Sequence, residues 1–151
     1  MIVVVRICKA KHRVFDGEGS RLAGGRWSHP GTPMVYTSDH IALAVLEVLV
    51  HLEQVPVDYV RIAATVPDEL IEIVDETTLP EGWNDAVSLR YTKDYGTRWI
   101  HEGRSAVLSV PAVIVPQARN YLINPNHPDF GQITISAPKA LRFDERLSMR
   151  R

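Results

Sequence analysis

The chain has 151 residues, 45% of them hydrophobic and 23% charged, which suits one soluble globular domain with a sizeable core. Its 17 basic and 18 acidic residues nearly cancel, so the overall balance argues against a nucleic-acid footprint or a membrane-surface protein. The single cysteine, Cys8, excludes an internal disulfide, and no run reaches the roughly 20 apolar residues of a spanning helix, so a cytoplasmic protein is expected.

Ile2 to Ile7 is continuous and β-branched, the pattern of a strand buried on both faces, and Arg6 is its one charge. Arg6 is either a strand-end charge reaching solvent or a second cation in a site. Lys9 to Arg13, with His12, reads as a solvated basic loop. Phe15 to Gly25 is glycine-rich, but a dinucleotide fingerprint is a poor match. A third glycine is missing at the right offset, and no amphipathic helix is expected to begin there. The glycines allow a ligand to approach the backbone closely, and they equally suit a turn-rich loop without one.

Arg26-Trp27 follows the double glycine. Ser28 to Gly31 is a turn, and Pro33 to Thr37 is the next short strand, carrying Tyr36. Ser38 and Asp39 are the expected cap of a helix from Ile41 to Leu52. That helix is apolar on nearly every face, as in a helix surrounded by protein, and Glu47 interrupts it. A carboxylate there needs a cationic partner, a hydrogen-bond network or a cleft opening to solvent. His51 lies four residues on, so it shares a helical face with Glu47.

Tyr59 to Val66 reads as a strand, and Asp68 to Val74 as a helical turn or a further strand. Asn84-Asp85 is the expected cap of a helical segment that either runs through or restarts near Tyr91 and reaches Glu102, with Gly96 weakening one unbroken helix and Gly103 stopping it. Ala106 to Pro116 is two short strands or one bent at Pro111. Asn120 to Ile123 leads as a strand into the rigid Asn124-Pro125 turn, Gln132 to Ser136 and Ala140 to Phe143 are the last strands, and residues 148–151 form a polar tail. Trp27, Trp83 and Trp99 are assigned to the core or an interface.

The six histidines show no metal-ligand spacing and there is no cysteine cluster, so no metal site is expected. Serine-centred hydrolysis lacks its Gly-x-Ser-x-Gly elbow, and Glu53 lies on another side of the helix from Glu47, which disfavours a two-carboxylate hydrolase. The remaining constellation is Arg26, Tyr36 and Glu47. In NAD the nicotinamide is a cationic leaving group that departs neutral, so breaking its bond to ribose needs no protein acid. It needs a carboxylate to hold the ribose and stabilise an oxocarbenium-like centre, an aromatic face for nicotinamide and a cation for the diphosphate. Glu47, Tyr36 and Arg26 suit those roles in that order, although other phosphorylated ligands would satisfy the same chemistry.

Gly24-Gly25-Arg26-Trp27, Val35-Tyr36, Leu46-Glu47-Val48-Leu49 with His51, Val110-Pro111, Asn120 to Pro125 with His127-Pro128, and Arg142-Phe143-Asp144 with Arg146-Leu147 together resemble the RES-domain toxins of bacterial type II toxin–antitoxin systems. The resemblance runs along essentially the whole chain, as one domain over residues 1–151. It implies an α/β fold, a compact mixed sheet like that of ADP-ribosyltransferases. It also implies consumption of NAD as substrate and a cognate antitoxin with a DNA-binding region, and a homo-oligomer is compatible with it. Arg26, Tyr36 and Glu47 match the family's arginine, tyrosine and glutamate positions, and His51 is either ligand-facing or a satisfied core residue. One position departs: where the family's serine follows the Val-Pro pair, this chain has Ala112, and Ser109 falls on the opposite strand face. The activity so implied is loss of nicotinamide with water or phosphate as acceptor. Mono-ADP-ribosylation of a protein is the near alternative, a catalytically weak antitoxin-binding module a more distant one, and a nucleic-acid-directed toxin the least supported.

Overall fold

The computed structural model describes residues 1–52, 54–85 and 90–147. Glu53, the start of the segment expected after Asn84-Asp85, and the polar tail at 148–151 lie outside the described residues. Eight strands form one mixed sheet: β1 Ile2–Lys9, β2 Val35–Ser38, β3 Tyr59–Val66, β4 Ile71–Ile73, β5 Val107–Pro111, β6 Arg119–Ile123, β7 Thr134–Ile135 and β8 Lys139–Leu141. Their order is β4-β5-β6-β2-β1-β3-β7, with β8 also paired to β3. The β4–β5 pair is parallel and the other pairings are antiparallel. Three α-helices, α1 Glu18–Ala23, α2 Ile41–Leu49 and α3 Arg90–Glu102, and five short 3-10 turns complete the described elements.

The long apolar runs pair most fully. β1 and β3 are in register from Ile2 opposite Val66 to Lys9 opposite Tyr59. The opposite half is held by β2, β6 and β5, with Tyr36 beside Leu122 and Leu122 beside Leu108. Between the halves β1 and β2 share one register pair, Val5 with Ser38. Alternation along these strands feeds two cores, one per face. Val4, Val35, Ile62, Ala64, Val107 and Ile123 gather on one side, and Leu108, Val110 and Leu122 meet Trp27, Trp83 and Trp99 on the other. All three tryptophans are buried.

Several local expectations change. The glycine-rich loop does contain a short helix, α1, after Asp16 Oδ1 accepts from the Glu18 amide at 3.1 Å. Helix α2 stops at Leu49 instead of Leu52, and its cap is His40, whose Nδ1 accepts from the Ala42 amide at 3.0 Å. Ser38 is kept from capping because it ends β2, and Asp39 Oδ2 accepts from the Arg119 amide at 3.2 Å. Nor is α2 surrounded by protein. It rests on β1 and β2 and buries Leu43, Ala44 and Leu49, while Leu46 is 40% and the following Val50 51% exposed. An all-round apolar pattern marks a buried helix only if elements exist to cover each face, and here one side of α2 has none among the described residues. Asp68–Leu70 is a 3-10 turn that runs directly into β4, so both readings of that segment hold in succession. No helix of the described residues is long and apolar enough to cross a membrane.

Helix α3 runs unbroken through Gly96 for a steric reason. A Cβ at that position would stand 1.8 Å from the Trp27 carbonyl oxygen. The missing side chain lets α3 lie directly on the loop that carries Arg26 and Trp27, and Gly103 (φ 62°) then ends the helix. Gly96→Ala ordinarily gains about 1 kcal/mol of helix propensity. Here it should instead lower stability by about 2 kcal/mol or more, because α3 must move off a backbone carbonyl. A fall in the urea midpoint relative to the parent is the expected result.

Candidate active site

The Gly24 to Pro30 loop is fastened from two sides. Lys93 Nζ donates to the Gly25 carbonyl at 2.5 Å, and the His29 amide donates to Thr97 Oγ1 at 3.0 Å, both from α3. His29 Nε2 lies 2.6 Å from Asp94 Oδ1. From the sheet side, Tyr36 presses its hydroxyl against Gly25, where a Cβ would sit 2.5 Å from the phenolic oxygen.

The Tyr36 hydroxyl closes a directed chain of hydrogen bonds. It accepts from the Trp27 amide at 3.1 Å and lies 2.7 Å from Ser28 Oγ. Ser28 Oγ is in turn 2.7 Å from Ser20 Oγ, and Ser20 donates to the Thr32 carbonyl at 3.0 Å. Since the last hydroxyl must donate to a carbonyl, the one arrangement that uses each proton once has Tyr36 donating to Ser28 and Ser28 to Ser20. Burial pushes the Tyr36 phenol up to about 12, against the opposing effects of Ser28, the Trp27 amide and Arg26. The hydroxyl is thus committed to holding the loop.

Arg26 emerges from that loop with two guanidinium nitrogens donating to backbone carbonyls, Nη1 to Trp83 at 3.2 Å and Nη2 to Asp85 at 2.7 Å. Partial burial lowers its affinity for the proton, while the nearby charges of Glu47 and Asp85 work in the other direction. The guanidinium stays charged and lies within electrostatic reach of Glu47.

Glu47 projects from α2 and is half-buried. Its Oε1 accepts from Asn120 Nδ2 at 2.9 Å, and Asn120 Oδ1 accepts from the buried Ser38 hydroxyl at 2.8 Å. Of the provisions expected for this carboxylate, the structure supplies a network of neutral donors and an opening to solvent. The opening is a cleft of about 570 Å³ lined by Glu47, Val48 and His51 on one side and by Arg6, Cys8 and Gly19 among others on the opposite walls. His51 is exposed at its edge. Arg26 and Tyr36 are not among the residues that line this cleft.

Arg6 is the cation that does line it. The guanidinium carbon is 5.9 Å from the centroid of the Phe15 ring, and Nε is buried with no hydrogen-bond partner among the described residues. An orphaned buried donor costs about 1–3 kcal/mol, a deficit that an anion in the cleft would relieve. Arg6 is half-buried and on the cleft wall, so it reaches the cleft and the solvent that fills it. Among the described residues no group of three His, Cys, Asp or Glu is arranged to hold a metal ion.

The RES domain family model matches residues 3–144. The chain belongs to the RES-domain family. It is similar to Toxin Res of Photorhabdus laumondii, 36% identical over 152 residues that cover 97% of each protein. It is also similar to the Prs ADP-ribosylating toxin of a Sphingobium species, 37% identical over 138 residues covering 88% of this chain and 86% of that protein. Its fold is similar to that of a chain in the crystal structure of the M. tuberculosis MbcT–MbcA toxin–antitoxin complex, with a TM-score of 0.67 and 19% identity over 93% of this chain and 84% of that one. The mixed α/β architecture is accordingly that of a RES domain, shared with this toxin–antitoxin structure.

Within this RES domain the position after the Val-Pro pair is informative. Ala112 is fully buried and its amide donates to the Ala118 carbonyl at 3.0 Å. Ser109 lies within β5, and its hydroxyl accepts from Arg119 Nε at 2.6 Å. It takes no part in the Glu47 network. The hydroxyl that does is Ser38, and the amide is Asn120, which the sequence placed at the start of the strand before the Asn124-Pro125 turn. Asn124 takes the turn role, its Oδ1 accepting from the Asn126 amide at 3.0 Å.

The Tyr36 phenol has a measurable signature. As pH rises from 10 to 12 the unfolded chain releases this proton while the folded chain retains it, so stability falls by about 1.4 kcal/mol per pH unit. The contribution is fully present below pH 10. Tyr36→Phe should remove this part of the alkaline loss, seen as a flatter dependence of unfolding free energy on pH. At neutral pH it should cost about 1–3 kcal/mol by stranding the Trp27 amide and Ser28 hydroxyl.

Proposed function

We propose that this chain is the toxin of a toxin–antitoxin pair and that it cleaves the nicotinamide–ribose bond of NAD. The observation that carries the reading is the cleft whose lining includes both Glu47, a carboxylate held by a neutral amide, and Arg6, whose buried Nε has no hydrogen-bond partner among the described residues. The sequence relationship to Toxin Res and to an ADP-ribosylating toxin supports the same chemistry.

In this reading the diphosphate lies against Arg6 and the nicotinamide riboside against Glu47. As the C1–N bond breaks, its electron pair leaves with nicotinamide, which becomes neutral, and positive charge develops on the ribose. The Glu47 carboxylate stabilises that charge and orients the ribose hydroxyls. Water or inorganic phosphate then attacks C1 and loses one proton, giving ADP-ribose or its 1-phosphate. Arg26, which matches the family's arginine position, adds positive charge near the diphosphate and holds its loop against the Trp83 to Asp85 segment. Tyr36 holds the same loop, and His51 borders the entrance.

Protein mono-ADP-ribosylation is the second reading, favoured by the similarity to the Prs ADP-ribosylating toxin of the Sphingobium species. It shares the first step and differs only in the nucleophile. A DNA-binding antitoxin that covers the cleft and a cytoplasmic location complete the proposal, and the exposed Leu46 and Val50 beside the cleft give such a partner apolar surface.

Purified antitoxin-free protein should release nicotinamide from NAD, and Glu47→Ala should reduce release by at least about 100-fold. A product that appears only with phosphate identifies phosphate as acceptor. Release that requires an added protein, which then carries the ADP-ribosyl group, selects the second reading. Release unaffected by Glu47→Ala removes the proposed role of the carboxylate.

A further inference from the structure

Glu47 has an unusual kind of support for a carboxylate on a helix between two halves of a sheet. Its hydrogen bond among the described residues comes from a neutral amide, and that amide is itself fixed from behind. Asn120 sits on β6 with its backbone in register with Ser38 on one side and Val110 on the other, so its Cα has little freedom. Ser38 is 4% exposed and its hydroxyl donates to Asn120 Oδ1 at 2.8 Å. The amide nitrogen is thereby turned to Glu47 Oε1 at 2.9 Å. The reverse amide orientation would bring two acceptor oxygens together at that distance, so an ionised Glu47 and the Ser38 donor both select the same one.

We propose that Asn120 is a positioning residue for the Glu47 carboxylate, with Ser38 setting the amide's orientation. The inference rests on the reading of Glu47 as the group that stabilises the reacting ribose. The amide occupies Oε1 and leaves Oε2 for the ligand. A lysine or arginine in the same place would hold the carboxylate equally well but would neutralise the charge that the developing oxocarbenium needs. A neutral donor fixes geometry while conserving that charge. The nearby cations Arg26 and Arg6 reach the site from the loop and from β1, and neither is hydrogen-bonded to Glu47 in the manner of Asn120.

The test compares Asn120→Ala, Asn120→Asp, Ser38→Ala and the Asn120→Ala/Ser38→Ala pair in the antitoxin-free chain, with circular dichroism and urea midpoints recorded for each. Asn120→Ala should lower kcat for nicotinamide release by about 30-fold to 100-fold while KM for NAD changes by less than about 3-fold. Asn120→Asp keeps the shape but faces Glu47 with a second carboxylate, so the acidic limb of its pH–rate profile should move up by about one pH unit or more. Ser38→Ala should lower kcat by a smaller factor, and the double variant should lose no more than Asn120→Ala alone.

A structural role predicts lower urea midpoints with kcat per folded molecule and the pH profile unchanged, and that result would overturn the proposal. Additive losses in the double variant would overturn the part given to Ser38. Loss of activity in Glu47→Ala with full activity in Asn120→Ala rejects the positioning role while keeping Glu47. Activity unaffected by Glu47→Ala rejects the underlying reading itself. A 13C-detected titration of the Glu47 carboxyl in the parent and Asn120→Asp reads the coupling without turnover, and an unmoved titration in the variant counts against the proposal even if NAD is not the substrate.

Discussion

The two halves of the sheet are joined through one register pair, Val5 with Ser38. On either side of that rung the structure is conventional: a fully paired β1–β3 ladder in one half and a β2–β6–β5 ladder in the other. At the rung the chain has to satisfy strand pairing and leave space at the same time. Beyond it β1 carries Arg6, Ile7 and Cys8 along one wall of the cleft, and α2, which bridges β1 and β2, brings Glu47 and His51 to another. Ser38 belongs to the joint by its backbone and to the Glu47 network by its hydroxyl. The stability of the sheet and the placement of the carboxylate therefore share a residue.

A second constraint comes from the opposite side of the domain. Because Gly96 has no side chain, α3 approaches the Trp27 carbonyl, and Lys93, Asp94 and Thr97 reach the same loop with polar contacts. The Trp27, Trp83 and Trp99 core lies beneath this contact. Arg26 is thus carried by a loop that is packed and hydrogen-bonded on both sides, an economical way to keep a guanidinium near a half-buried carboxylate. Electrostatic groups that act on a reacting centre are effective when they need little reorganisation, and a loop fastened by helix and sheet provides that rigidity.

The strands were legible because β-branched runs such as Ile2 to Ile7 have few alternatives, but the expected burial of that run on both faces does not hold, since Val4 is buried while Val3 is exposed. The grouping of Arg26, Tyr36 and Glu47 was read for a different reason, because three polar side chains stand in apolar or glycine-rich surroundings and their order follows the RES pattern; of the three, Glu47 is the one on the cleft wall. Less could be read of α2. Its composition matched a helix enclosed on all sides, but composition does not report whether a neighbouring element is present, and the outward face with Leu46 and Val50 stays uncovered. The cap was misassigned for a related reason, since Ser38 and His40 can each cap a helix and strand pairing decides which one is available.

By itself the sequence determined the mixed α/β class, the RES family and a carboxylate in need of support, because local propensity, hydrophobic pattern and motif order are properties of short stretches. Only the tertiary structure decided what that support is. Asn120 lies 73 residues from Glu47 and Ser38 lies 82 from Asn120, and their contact exists because strand order places β6 beside β2 and α2 lies across the joint. The same holds for Arg6, whose strand position was compatible with solvent or cleft until the single rung between β1 and β2 left it on the cleft wall. Side chains so far apart in the chain are brought together by pairing register, and register is a property of the whole sheet.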